Sequence, residues 1–63
     1  MNYYTLFVND NGRWVVAFGD YVISVVRQEA IDSYSDYARK DKRIICTSAD
    51  QDAINEKFRE LNA

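Results

Sequence analysis

The chain has 63 residues, a formal net charge of −2, one cysteine and no histidine. That length makes one domain, 1–63, and a chain so short buries only about 60% of its unfolded surface. A single cysteine excludes an internal disulfide, and the lack of any Cys/His cluster excludes a structural zinc site. No metal and no other cofactor is expected. Stability must come from a dense aromatic core, for which five Tyr, three Phe and one Trp are present, or from association into a homo-oligomer. Charges of both signs are interspersed, which argues against a general nucleic-acid or membrane-surface binder. No apolar run approaches the ~20 residues needed to span a bilayer. Met1 leads straight into a strand pattern, without a charged-then-apolar leader. The expected location is the cytoplasm, where a free thiol is unremarkable.

Tyr3 to Phe18, YYTLFVNDNGRWVVAF, places two apolar runs around Asn9-Asp10-Asn11-Gly12 and reads as a β-hairpin. Two registers compete. A three-residue loop with Gly12 as a G1 bulge pairs Asn9 with Arg13. It then gathers Tyr4, Leu6, Val8, Trp14, Val16 and Phe18 on one face. A two-residue Asn11-Gly12 turn of type I′ pairs Val8 with Val15 and leaves Asn9 beside Trp14. The bulged loop gives the more clearly apolar face and is preferred, since burial sets register. The other face, Tyr3, Thr5, Phe7, Val15 and Ala17, is still not polar. It is covered either by the chain itself or by another chain.

Gly19-Asp20 reads as a breaker pair. Tyr21–Val26 fits either a further strand or the start of a helix. From Val25 onward the helical period improves. Val26, Ala30 and Tyr37 lie along one stripe with Ile31, Tyr34 and Ala38 beside it, which predicts a helix over about 24–40. Arg43–Thr47 reads as a short covered strand. Ser48 to Gln51 fits a capping box, and Ile54, Phe58 and Leu61 predict a final helix over about 49–61. The resulting fold class is α+β, β-β-α-β-α. The sheet is three-stranded and antiparallel, of order 2-1-3, and both helices pack on one face in two layers.

YTLFVNDNGRWVVAFGDY, and more faintly KDKRIICTSADQDAINEKFRELNA, resembles short uncharacterised proteins encoded by phages and prophages. The resemblance covers most of the chain, but its motifs are structural: a turn, a Trp and a Gly-Asp-Tyr. In such proteins the stretch after Gly-Asp-Tyr is usually polar and charged, whereas here it is Val22-Ile23. The resemblance implies a phage origin and transfers no catalytic or binding residue.

The residues offer little for catalysis. A general base usually means His or a carboxylate with a raised pKa, and most acids here fall at helix caps or on solvated faces. Cys46 has no His partner. Both glycines serve turns, so no loop cradles a phosphate. The expectation is a non-enzymatic protein that binds, and modulates or inhibits, a host protein. Tyr3, Phe7 and Val15 are its candidate contact residues, with a host protein or a second copy as partner. Pairing at the free strand edge Arg13–Phe18 is one route. The alternative is nucleic-acid or small-nucleotide binding through Arg39, Lys40, Lys42 and Arg43 with Tyr34 and Tyr37 nearby. A solvated helix end obeying the dipole rule explains the same cluster more simply.

Overall fold

Asn11 and Gly12 both take positive φ, 56° and 88°. Two such residues in succession make a type I′ turn, whose twist matches that of the strands it joins. In the computed structural model, which describes residues 2–63, this turn joins β1 (Asn2–Asp10) to β2 (Arg13–Asp20). Asp10 pairs with Arg13, Asn9 with Trp14 and Val8 with Val15. The bulged-loop register is therefore corrected to the two-residue one. A bulge does occur, further along. Phe7 faces Val16 and Leu6 faces Phe18, so Ala17 is the extra residue.

That bulge restores an apolar partner to each face. Leu6 and Val8 form one buried cluster, to which Tyr4, Val15, Ala17 and Phe18 add. Phe7 and Trp14 are buried in a second cluster with Tyr3 beside them. Trp14 is buried as the hairpin reading requires, but on the face opposite to the one assigned. Val16 is left half exposed.

Gly19 and Asp20 belong to β2, and the break comes at Tyr21-Val22. Gly19 is needed because the Tyr3 ring lies against it. A Cβ there would sit 2.8 Å from Tyr3 Cε2 and Cζ. Tyr3 also meets Tyr21 edge to face, with centroids 5.0 Å apart. Asp20 Oδ1 accepts from Val22 N–H at 2.9 Å, turning the chain into α1 (Ile23–Asp32). Tyr21–Val26 is thus a turn followed by a helix start.

Helix α1 is shorter than its apolar period suggests. It stops at Ser33, whose N–H donates to Glu29 O at 2.9 Å. Asp32, Ser33, Ser35 and Asp36 have short polar side chains that compete with helical bonding. Beyond Ser33 the chain is irregular until the 3₁₀ turn Arg39–Asp41. Tyr34 and Tyr37 still pack on the α1 cluster, but they do so from a loop.

Strand β3 (Lys42–Ser48) pairs antiparallel with β1 from Asn2↔Ser48 to Val8↔Lys42. The sheet is three-stranded and antiparallel with order 2-1-3. Thr5 to Val8 are all buried because β1 is central. Helix α2 (Gln51–Leu61) is capped by Asp50, not by Ser48: Asp50 Oδ1 accepts from Asp52 N–H at 3.1 Å. Gln51 turns to Asn55 instead of reaching back.

The two helices take opposite faces, which corrects the two-layer arrangement. Val26 and Ala30 of α1 pack on Leu6 and Val8. Ile54 of α2 packs on Phe7 and Trp14, with Phe58 and Leu61 beside it. A central strand apolar on both faces needs a cover on each, and each helix supplies one. The molecule measures 30 × 28 × 13 Å. The thin direction matches the width of three strands, which spans two spacings of about 4.8 Å plus twist. The rims of β2 and β3 therefore form its two broad sides.

Candidate functional site

The three residues predicted to share a contact face do not share one. Phe7 is fully buried beneath α2. Val15 packs with the α1 cluster, on the other side of the sheet. Tyr3 is partly buried over Gly19 on the α2 side. The apolar second face exists, and the chain's own C-terminal helix covers it.

The basic cluster is also dispersed. Lys42 and Arg43 are adjacent in a strand, so they project to opposite faces. Lys42 Nζ donates to Ala30 O at 3.3 Å and to Tyr34 O at 3.2 Å, capping the carboxyl end of α1. The Arg43 guanidinium lies 5.0 Å from the Trp14 ring centroid on the α2 side, in cation–π geometry. Tyr34 OH donates to the Ala17 carbonyl at 3.2 Å. The Tyr37 ring lies 6.1 Å from that of Tyr34. Arg39 and Lys40 are exposed. The tyrosines are thus committed to packing, and the aromatic ring that meets a basic side chain of this cluster, Trp14 under Arg43, is itself buried.

The two sheet rims differ in a way the sequence did not announce. Asn62, just past α2, lays its carboxamide along β2. Its Oδ1 accepts from Trp14 N–H at 2.8 Å, and its Nδ2 donates to Trp14 O at 2.9 Å and to Phe58 O at 3.1 Å. A side-chain amide here replaces a neighbouring strand. Together with the Tyr34 bond to Ala17 O, it covers the Arg13–Phe18 rim, expected to be free, at Trp14 and Ala17.

The rim of β3 has no such cover along its middle among the described residues. Both Trp14 backbone groups point away from β1, so Asn9↔Trp14 is a pair without mutual bonds. By the period of two, Asn9, Phe7, Thr5 and Tyr3 then turn their backbone groups toward β3. Their partners Arg43, Ile45 and Thr47 answer them. Lys42, Ile44, Cys46 and Ser48 aim N–H and C=O outward; at the ends of the strand Lys42 N–H donates to Arg39 O and Ser48 O accepts from Thr47 Oγ1 at 2.7 Å, so the bare groups are those of Ile44 and Cys46. Cys46 is exposed on this rim, which corrects its expected place in a covered strand.

A second feature is the corner where β2 passes into α1. Tyr21, Val22 and Val25 are 51%, 51% and 42% exposed. They lie within five residues: Val25 N–H bonds to Val22 O in the first turn of α1, and Tyr21 immediately precedes that turn. Among the described residues, only the edge of the Tyr3 ring reaches this corner, against Tyr21. The signal was present in the sequence as Val22-Ile23 after Gly-Asp-Tyr.

Among the described residues there is no detected cavity and no group of His, Cys, Asp or Glu poised to hold a metal ion. No described helix is long and apolar enough to cross a membrane. The class defined by these features is a small α+β domain, a three-stranded sheet held between two helices, with the β2 rim latched at Trp14 and Ala17 and the β3 rim bare in its middle. Compared with protein-family models, curated proteins and solved structures, the chain matches none.

Proposed function

We propose that this is a small non-enzymatic protein of phage type that acts in the host cytoplasm by occupying a host protein. The observation that carries the reading is the apolar corner Tyr21, Val22 and Val25, half exposed in a chain with little core to spare. Full burial of an apolar side chain contributes about 1.5–3 kcal/mol, so leaving these half exposed forgoes roughly half of that for each. A contiguous exposed apolar group marks a contact site more often than scattered single residues do. Tyrosine is also favoured at the centres of interfaces, because it buries a large ring with few rotatable bonds. The corner replaces Tyr3, Phe7 and Val15 as the contact surface, since two of those three are committed to the core.

The test is affinity capture from a bacterial lysate with mass spectrometry, comparing the wild-type chain with a Tyr21→Ser, Val25→Ser double variant. Both positions are exposed, so the fold should survive, as far-ultraviolet circular dichroism can check. A host protein retained by the wild type and lost from the variant is the expected result. The same set of proteins on both baits, or none on either, would contradict the reading.

A further inference from the structure

We propose that the open rim of β3 seats a second copy of this chain, the two β3 strands running antiparallel about Ile45 to make one six-stranded sheet. This surface is separate from the apolar corner and does not depend on any host partner.

The first support is the contrast between the rims. On β2, Asn62 and Tyr34 occupy outward backbone groups. On β3 the outward groups of Ile44 and Cys46 have no partner among the described residues, while Ser48 O accepts from Thr47 Oγ1. Proteins generally blunt an exposed edge, because it is a template for pairing. Here distant side chains blunt one edge at Trp14 and Ala17, and none reaches the middle of the other, Ile44 to Cys46.

The second support is register. Antiparallel pairing about Ile45 sets Ile44 opposite the partner's Cys46 and Lys42 opposite the partner's Ser48. The free outward groups of Ile44 then meet those of the partner's Cys46, twice by symmetry, as bonded pairs require, while Lys42 N–H and Ser48 O keep their bonds to Arg39 O and Thr47 Oγ1. Arg43 falls opposite the partner's Thr47, so no like charges meet directly. Centring the pair on Arg43 would place two guanidinium groups face to face.

The third support is charge. The chain entering β3 carries Arg39, Lys40, Lys42 and Arg43 against a single acid, Asp41, and the chain leaving it carries Asp50 and Asp52. A strand basic at one end and acidic at the other is complementary to its own antiparallel copy, and the match is made twice by symmetry. The basic cluster thus finds a use that requires no nucleic acid. There is also room. Val26, Ala30 and Ile54 pack on residues of β1, so both helices ride over the middle of the sheet. Pairing through β3 separates β1 from its copy by three strand spacings, about 14 Å. Helices touch at roughly 8–10 Å, so each passes its counterpart without collision.

Sedimentation of the full chain from micromolar to millimolar concentration tests the proposal. The mass should rise from 7.4 kDa toward twice that, and added salt should weaken the association. Lys40→Glu should weaken it about fivefold or more, and adding Asp52→Lys in the same chain should restore it. Cys46→Pro should leave a folded monomer, because the N–H it removes points outward. A chain that stays monomeric to millimolar concentration would overturn the proposal. So would association that Cys46→Pro leaves intact, or a charge reversal that its counter-reversal does not rescue. None of these results bears on capture of a host protein at the apolar corner.

Discussion

Replacing Asn62 with alanine tests how much of this small fold depends on one side chain near its end. The carboxamide makes three bonds, of 2.8, 2.9 and 3.1 Å, two of them to the backbone of Trp14. A net hydrogen bond contributes about 0.5–1.5 kcal/mol. The Trp14 groups lie on a rim that water can reach once the amide is gone, so the lower half of that range applies. The expected loss is about 2 kcal/mol. For a domain of this size each kcal/mol shifts Tm by roughly 4–8 °C, so Tm should fall by about 10 °C. Urea unfolding followed by the emission of Trp14, the chain's one tryptophan, measures it directly. Asn62→Asp is the informative control. It keeps the acceptor for Trp14 N–H, loses both donated bonds and puts a negative charge at the carboxyl end of α2, where it is unfavourable. It should therefore be no more stable than the alanine variant. A loss under about 0.5 kcal/mol for Asn62→Ala would show that the latch contributes nothing and that the β2 rim is open as well.

Two further substitutions probe the α2 side of the sheet. The Thr5 hydroxyl is buried with no partner among the described residues; Thr5→Val keeps its shape and should stabilise the fold by about 1 kcal/mol, read as a higher urea midpoint. Gly19→Ala should cost about 1 kcal/mol by displacing the Tyr3 ring from its contact with Gly19 and Tyr21, and the near-ultraviolet circular dichroism of the tyrosines should weaken in parallel.

The sequence made the hairpin, the strand order and the last apolar stripe legible, because each rests on short-range chemistry. Asn11-Gly12 announces a turn, and Ile54, Phe58 and Leu61 announce a helix face. The pairing register was harder. A preference for one cleanly apolar face selected the wrong loop, while a bulge at Ala17 let both faces be apolar. That same two-sided character placed the helices on opposite faces, which a pattern with one dominant face does not suggest. The end of α1 was masked because Tyr34 and Tyr37 keep helical spacing while reaching the core from a loop. The basic cluster looked continuous along the chain, yet strand alternation sends Lys42 to the α1 side and Arg43 to the α2 side. The role of Asn62 was out of reach, since its partner Trp14 is distant in sequence and only the folded sheet brings them together.

Residue-resolved amide hydrogen exchange in dilute protein tests the central claim most directly, since a rim latched at Trp14 and a rim bare at Ile44 and Cys46 make opposite demands on backbone groups that all lie in strands. The account predicts a Trp14 amide that exchanges slowly, shielded by Asn62, beside Ile44 and Cys46 amides that exchange freely until concentration rises. A freely exchanging Trp14 amide, with Ile44 and Cys46 protected at every dilution, would contradict it.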